Sequence, residues 1–273
     1  MGQSTMAQMA LAEIVTDMTG TTQRQDRSVV AVAEVNSELA SDALSSNPQT
    51  HRPVRSFVLR GGRLTGAQDR ALTDLWPKYG VDANGGLLDL HGLFGNRNPV
   101  ILEIGFGNGE ATWQMASASP SENFIGVEVY RPGAGRLLLK LAEEGIENVR
   151  VACADAVVLL KDCIADGALQ GVRLYFPDPW PKARHLKRRI VQPGFIELLA
   201  QKIAPAGVLH LATDWRPYAE HMLAVMNNSA EFVNPAGAEG YSARPSWRPR
   251  TKYETRGQRL GHPVFDLLFL RVT

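Results

Sequence analysis

Short apolar segments alternate with amphipathic ones along most of this chain, and that alternation limits the folds open to it. Strand-like runs occur at VILEI (100–104), FIGVEV (124–129), VRVAC (149–153), VRLYF (172–176), VLHLAT (208–213) and VFDLLFLRV (264–272). Helical patterns lie near 110–118, 133–144, 155–165, 193–203 and 216–228. Because the runs are almost continuously apolar, we expect helices to cover both faces of the sheet that they form. The pattern predicts an α/β fold with a doubly wound, mostly parallel sheet.

The first 50 residues differ from the rest of the chain. They are rich in Ser, Thr, Gln, Ala and Asn, show weak periodicity and carry a net charge of −4. We therefore predict a disordered extension over 1–50 and one folded domain over 51–273. No stretch approaches the roughly 18 apolar residues of a membrane helix. The 2 cysteines provide neither a disulfide framework nor a metal site. A cytoplasmic protein with no metal and no membrane partner is expected.

Positive charge is concentrated in three segments of the remaining chain. The whole chain carries +1, so the part beyond residue 50 carries +5. The first segment holds Arg52, Arg55, Arg60 and Arg63. The second holds Lys182, Arg184, Lys187, Arg188 and Arg189, and the third holds Arg244, Arg248, Arg250, Lys252, Arg256 and Arg259. Such clusters suit a polyanionic partner, although a solvated face without a partner is the alternative for any one of them.

A glycine-rich turn follows the first strand-like run. The segment ILEIGFGNGE (101–110) has the spacing G-x-G-x-G, with Glu103 two residues upstream. Glu128 ends the second run, and Asp155 follows the third. Acids at successive strand ends share the sheet edge where ligands bind in open α/β folds. Glu103 would repel a pyrophosphate, so the pattern favours cationic S-adenosylmethionine over a nicotinamide cofactor.

Three prolines enclose an acid and an indole directly after the fourth run. The segment FPDPWP (176–181) places Pro177, Pro179 and Pro181 around Asp178 and Trp180. Each proline fixes its own φ and favours an extended preceding residue. The pattern predicts a stiff, extended rim that holds Asp178 beside the ligand-binding edge.

Together these motifs resemble the tRNA (guanine-N7-)-methyltransferase family of the class I methyltransferases. The matching segments are FPDPW, LEIGFGNG (102–109), GVEV (126–129), ATDWRPYAEHM (212–222), RPRTKYETRGQRLGH (248–262) and RSFVLRGGRLT (55–65). The resemblance covers about 52–272. It implies a Rossmann-like, seven-stranded sheet whose last strand is antiparallel. It also implies methyl transfer from S-adenosyl-L-methionine to N7 of a guanine in tRNA, at position 46 in the variable loop.

The resemblance also implies a role for individual residues. Asp178 corresponds to the catalytic residue. Cofactor contacts are implied for Glu103, Gly105, Gly107, Glu128, Asp155 and Asp178. Substrate contacts are implied for Lys182, Asp214, Thr251, Lys252, Tyr253 and Glu254. The second basic segment predicts weaker contacts to tRNA phosphates from Arg184, Lys187, Arg188 and Arg189.

Several alternatives remain open from the residues alone. The enzyme could methylate another base or another nucleic acid, and a nicotinamide-dependent oxidoreductase or a non-catalytic RNA-binding protein are different classes. Trp180 could stack on a base or pack within the rim. Asp214 could cap the following helix instead of contacting substrate. The sequence allows either a monomer or a homodimer and indicates no obligate protein partner.

Overall fold

The computed structural model describes residues 56–57, 62–84 and 86–272, so the predicted extension over 1–50 lies outside the described residues. The strands are β1 (Gly80–Val81), β2 (Val100–Ile104), β3 (Asn123–Val127), β4 (Val149–Ala152), β5 (Leu169–Tyr175), β6 (Ile203–Thr213), β7 (Phe232–Val233) and β8 (Phe265–Arg271). The α-helices are α1 (Gly66–Asp74), α2 (Trp76–Tyr79), α3 (Leu90–Phe94), α4 (Glu110–Ala118), α5 (Arg131–Glu143), α6 (Ala156–Cys163), α7 (Pro193–Lys202), α8 (Arg216–Asn227) and α9 (Lys252–Arg259). A 3₁₀ helix spans Ala183–Arg188.

One sheet joins all the strands of the described chain. Its order is β1-β4-β3-β2-β5-β6-β8-β7. The pairs from β1 to β6 are parallel, whereas β8 runs antiparallel to both of its neighbours. The predicted fold class and the antiparallel last strand are confirmed. The described sheet has eight strands where seven were predicted, because two-residue β1 adds an outer edge.

Two apolar layers hold helices against the two faces of the sheet. On one face, Leu102, Val172 and Leu209 pack with residues of α6, α7 and α8. On the other face, Ile101 and Phe124 pack with residues of α1, α4 and α5. This double coverage explains why the central strands read as continuous apolar runs.

The topology also decides where a ligand can bind. β2 lies between β3 and β5, so the chain leaves β2 toward one edge of the sheet and later returns to build β5 on its other side. The connections after β2 and β5 therefore diverge and leave a crevice at the carboxyl ends of these two strands. The glycine-rich turn follows β2, and the proline-rich rim follows β5, so both predicted motifs border this crevice.

The described residues include neither a membrane-spanning helix nor a metal-binding cluster. No helix in that part of the chain is both long and apolar enough to cross a bilayer. The same residues contain no group of three or more His, Cys, Asp or Glu side chains arranged to hold a metal ion.

Candidate active site

A cavity of about 530 Å³ opens at the carboxyl ends of β2 to β5. Its volume lies within the range of about 300–1,000 Å³ that is usual for small-molecule sites. Five of the predicted site residues line it together: Gly105, Gly107, Glu128, Asp155 and Asp178. The structure thus brings to one cavity residues that the sequence spreads over more than 70 positions.

The turn after β2 requires its glycines. Gly105, Gly107 and Gly109 have φ values of 72°, 59° and 77°, in the left-handed region that favours glycine. A Cβ atom on Gly105 or Gly107 would meet no protein atom within 4 Å. Since both residues line the cavity, such an atom would occupy space that is open to a ligand. Hence the turn is shaped for close approach of its backbone to a bound molecule.

Glu128 joins the glycine-rich turn to the end of β3. Its Oε2 accepts a hydrogen bond from the Gly107 N–H at 2.8 Å. Its Oε1 accepts from the N–H groups of Val129 at 2.7 Å and Tyr130 at 3.1 Å. A carboxylate has about four acceptor positions, so one remains for a ligand hydroxyl. The sequence predicted that Glu128 contacts a ligand, but it did not predict that Glu128 also holds the glycine-rich turn in place.

Asp155 lies at the N-cap of α6. Its Oδ1 accepts a hydrogen bond from the Val157 N–H at 2.9 Å, which fixes the side chain at the helix start. Oδ2 makes no hydrogen bond to any described residue. Because Asp155 also lines the cavity, Oδ2 can accept a hydrogen bond from a ligand.

Glu103 lies below the turn and is not among the residues that line the cavity. It is 3% exposed, and its Oε2 accepts a hydrogen bond from Thr112 Oγ1 at 2.5 Å. Burial raises the pKa of Glu103 to about 7, an effect opposed by the Thr112 hydrogen bond and by the charge of Arg173 and reinforced by Glu128. The position indicates support of the turn from beneath, whereas the sequence predicted direct cofactor contact.

This raised pKa makes a prediction about stability. Unfolded Glu103 loses its proton near pH 4.5, and folded Glu103 loses it near pH 7. Between these values the folded state holds more protons, so the free energy of unfolding falls as the pH rises. This difference in pKa corresponds to about 3 kcal/mol in the free energy of unfolding. Urea denaturation at pH 5 and pH 8 should show that the free energy of unfolding of Glu103→Gln, measured relative to wild type, increases by about this amount between the two pH values. The same difference between variant and wild type at both pH values would contradict the prediction.

The proline-rich rim is stiff but not extended as predicted. Phe176 has a φ of 51° and Trp180 a φ of 43°, both positive. For bulky residues before proline this conformation is strained, at a cost of order 1–3 kcal/mol each. The prediction was wrong because tertiary contacts, rather than local preference, set these angles. Asp178 lies between the two strained residues and forms part of the cavity wall.

Trp180 packs within the protein. The Arg188 guanidinium lies over its ring, with Cζ 3.9 Å from the ring centroid. Its indole N–H donates to the Ser56 carbonyl at 3.1 Å, and the His185 ring meets it edge-on at 5.8 Å. Between the two roles left open by the sequence, these contacts favour packing. They also bring the Ser56 and Phe57 segment to the cavity, which both residues line.

The cations behind the rim divide into two groups. Arg189 is 6% exposed, and its guanidinium donates to the carbonyls of Pro179 and Pro217 and lies over the Tyr218 ring. Arg189 therefore ties the rim to α8, and its contact with a phosphate stays a prediction. Arg188 is half-buried against Trp180. Exposed side chains remain at Lys182, Arg184 and Lys187.

Asp214 and Tyr253 meet beside the rim. The Tyr253 hydroxyl donates to Asp214 Oδ2 at 3.3 Å, and its ring contacts Phe176 at 5.5 Å between centroids. Burial raises the pKa of Tyr253, and the negative charges of Asp214 and Asp178 raise it further. Asp214 is not the cap of α8, since that position belongs to Trp215. The arrangement places an exposed phenol and two carboxylates near one another beside Phe176, which lines the cavity.

The other predicted substrate residues on α9 differ in exposure. Lys252 is exposed, and its backbone N–H donates to Glu110 Oε2 at 3.0 Å. Thr251 caps the helix through a hydrogen bond from the Glu254 N–H to its Oγ1 at 3.2 Å. Glu254 is 2% exposed and is bound by Arg248, so its carboxylate lies in the protein interior, and its contact with substrate stays a prediction.

A buried polar cluster was not predicted from the sequence. His210, Asp266 and Arg248 lie beneath the rim and connect Tyr175, which lines the cavity, to Glu254. The available signal was a charged or polar residue inside an otherwise apolar strand, as in VLHLAT and VFDLLF. Such residues are buried only when they are paired.

Comparisons with known proteins identify proteins that are similar to this chain. A family model described as "Putative methyltransferase" matches residues 97–267. A tRNA (guanine-N(7)-)-methyltransferase of Alcanivorax borkumensis is 54% identical over 80% of this chain and 91% of that protein. One of Cronobacter sakazakii is 51% identical over 87% of this chain and 100% of that protein. The structure of the 16S rRNA methyltransferase KamB aligns with a TM-score of 0.45 at 15% identity, over 78% of this chain and 97% of that one. On the family model and these relatives, the chain belongs to the tRNA (guanine-N(7)-)-methyltransferase family.

Proposed function

We propose that this protein transfers a methyl group from S-adenosyl-L-methionine to N7 of a guanine in tRNA, at position 46 of the variable loop. The observation that supports it most is the single cavity that holds Glu128 and Asp155 on one side and Asp178 on the other. A methyl donor and a purine base must meet for this reaction, and one cavity with two sets of acids can hold both.

The cavity suits the proposed cofactor on its own chemistry. Open space above Gly105 and Gly107 admits a ligand against the backbone. Glu128 has an acceptor position for a ribose hydroxyl, and Asp155 Oδ2 can accept from an adenine amino group. When bound, S-adenosylmethionine supplies the methyl group on a positively charged sulfur, and the negative charge of the cavity wall favours such a cation.

Asp178 is the proposed catalytic residue because of its place in the wall. Guanine N7 has a free lone pair and no proton, so the reaction requires positioning more than a general base. We propose that Asp178 accepts hydrogen bonds from the guanine N1–H and amino group, which turns N7 toward the methyl group. Its charge also stabilises the guanine ring as the ring becomes positive. Asp214 and Tyr253, which meet beside the rim, are the proposed partners for the same base.

The exposed cations of the rim are the proposed phosphate contacts. Replacing both Arg184 and Lys187 by Ala removes two exposed positive charges and should weaken tRNA binding. It should also make the slope of log K against log salt shallower by about 1.5. Filter binding from 50 to 300 mM KCl measures this. Lys161→Ala is the matched control, because Lys161 is exposed near the end of α6, which points away from the cavity edge. An unchanged slope in the double variant would count against the assignment.

Nucleoside analysis tests the proposed function directly. Unmodified tRNA is incubated with the protein and methyl-labelled S-adenosylmethionine, digested and examined by mass spectrometry. The expected product is labelled 7-methylguanosine, which disappears when the transcript carries adenosine at position 46. Label in another nucleoside would overturn the N7 assignment. Label that persists in the adenosine transcript would overturn the position alone.

A further inference from the structure

One charged side chain in the core of the protein is bound on both sides by carboxylates. Arg248 is 1% exposed. Its Nε and Nη2 donate to the two oxygens of Asp266 at 2.6 and 2.9 Å. Its Nη1 and Nη2 donate to the two oxygens of Glu254 at 2.6 and 3.1 Å. Arg248 therefore makes two bidentate pairs, one with the last long strand and one with α9.

The same cluster extends to the wall of the cavity. His210 Nε2 lies 2.8 Å from Asp266 Oδ1, and His210 Nδ1 lies 3.0 Å from the Tyr175 hydroxyl. The Trp247 indole nitrogen, which can only donate, points at the same Nδ1 from 3.3 Å. Nδ1 is therefore an acceptor and His210 is neutral, in keeping with burial that lowers its pKa to about 4. A continuous hydrogen-bond chain thus links Tyr175 to Glu254.

This cluster is the main attachment of α9. Among the eight described residues of that helix, only Glu254 is buried. A helix so short is not stable by itself in water, and α9 contains Gly257, which weakens it further. It buries no apolar side chain that could hold it to the sheet. The position of its first turn therefore depends on the pair between Glu254 and Arg248.

The first turn of α9 carries the residues proposed to contact the acceptor base. Tyr253, the neighbour of Glu254, is 61% exposed and donates to Asp214. Thr251 caps the turn through the Glu254 N–H, so backbone and side chain of Glu254 are both engaged. Because the two residues are adjacent, a shift of Glu254 would change the position of Tyr253 relative to Asp214 and Phe176.

We propose that Arg248 is a positioning residue for the reaction: by holding Glu254 against Asp266, it sets Tyr253 and Asp214 in the geometry that receives the target guanine. This inference rests on the proposed function for its substrate. It assigns Glu254 an inward, anchoring role and leaves contact with the base to Tyr253. The cofactor side of the cavity should not depend on it, because Glu128 and Asp155 are held by their own backbone contacts.

A double-mutant cycle between Glu254→Gln and Tyr253→Phe tests the proposal. Tyr253→Phe should raise KM for tRNA about fivefold by removing one hydrogen bond. Glu254→Gln should raise it about tenfold or more while the Kd for S-adenosylmethionine stays within about twofold. In the Glu254→Gln background, Tyr253→Phe should add almost nothing, since its hydroxyl has already lost its place. Additive effects would overturn the proposal. Thr255→Ala, exposed on the same helix, is the control and should combine additively with Tyr253→Phe.

Hydrogen exchange of the free protein gives a second test that needs no tRNA. Arg248→Lys keeps the charge but cannot form two bidentate pairs. Amides of α9 should exchange at least about tenfold faster in this variant, while those of β6 and β8 keep their protection. Unchanged exchange in α9, or faster exchange throughout the sheet, would overturn the positioning role. If wild-type protein methylates no tRNA but α9 loosens as expected, the proposed function fails and the anchoring of α9 stands.

Discussion

Asp178→Ala should lower kcat for tRNA methylation by at least about 100-fold, since the proposed mechanism relies on a preorganised charge at the cavity wall. Asp178 is the only acid within the strained rim, between Phe176 and Trp180, and it lines the cavity with Glu128 and Asp155. Without its carboxylate, the guanine would lose both the acceptor for its N1–H and amino group and the negative charge that stabilises the methylated ring. The proposed phosphate contacts involve other residues, so the Kd for tRNA should change by less than about threefold.

Single-turnover kinetics with saturating enzyme and filter binding of the same tRNA measure these two quantities. Asp178→Asn keeps the shape of the side chain and separates charge from packing, and it should be nearly as slow as the Ala variant. Glu197→Gln is the control, because Glu197 is an exposed acid on α7 and should leave the rate unchanged. Wild-type turnover in Asp178→Ala would remove Asp178 from the mechanism. A large loss of tRNA binding would mean that the residue acts in binding instead.

Gly133→Ala should disrupt the glycine-rich turn on the proposed cofactor side of the cavity, although Gly133 itself does not line that cavity. Gly133 lies in α5, and a Cβ atom there would lie 1.9 Å from the Gly107 carbonyl oxygen and 3.2 Å from the Tyr130 ring. Gly107 cannot retreat freely, because its φ is positive and its N–H is bound to Glu128. We expect the free energy of unfolding to fall by about 3 kcal/mol, at the upper end of overpacking effects. The Kd for S-adenosylmethionine should rise at least about tenfold as the turn is displaced.

Urea denaturation and calorimetric titration of the cofactor test the two parts of this expectation. Gly194→Ala is the matched control: Gly194 is also helical, its φ is not positive and a Cβ atom there meets nothing within 4 Å. That control should gain up to about 1 kcal/mol, as Gly to Ala changes in helices do. If Gly133→Ala binds the cofactor with the Kd of the wild type, the glycine-rich turn can move to make room for the added methyl group. That result would contradict the argument that Gly107 is held in place.

The regular elements follow from the sequence to within a few residues. The runs at 100–104 and 149–153 correspond to β2 and β4, and the pattern at 110–118 corresponds to α4. Long apolar or amphipathic runs carry their own signal, because burial on one or both faces sets their period. The elements that were missed are short: β1, β7, α3, the 3₁₀ helix and α9. Two to eight residues contain too few repeats for a period, and α9 is nearly all polar.

The sequence predicted which residues lie near the site better than it predicted what each of them contacts. Strand ends place Glu128, Asp155 and Asp178 at one edge, and all three line the cavity. Two predicted contacts, Arg189 and Glu254, are buried and bound to protein groups instead. The sequence predicts that a charged residue in a basic or polar segment is exposed. Its burial becomes evident only from the partner that it contacts in the folded protein. For Arg189 that partner is Pro217, and for Glu254 it is Arg248.

The sequence by itself determined the architecture of this protein and the edge of the sheet where its cavity lies, because period, glycine spacing and proline spacing are local properties of the chain. Only the tertiary structure determined which charged side chains face solvent and how α9 is attached to the sheet. It also determined the positive φ angles of Phe176 and Trp180. These features depend on pairs such as Glu254 with Arg248 and Asp266 with His210. The free energy of a buried charge depends on the partner that contacts it in the folded protein. The local sequence around the charge does not identify that partner.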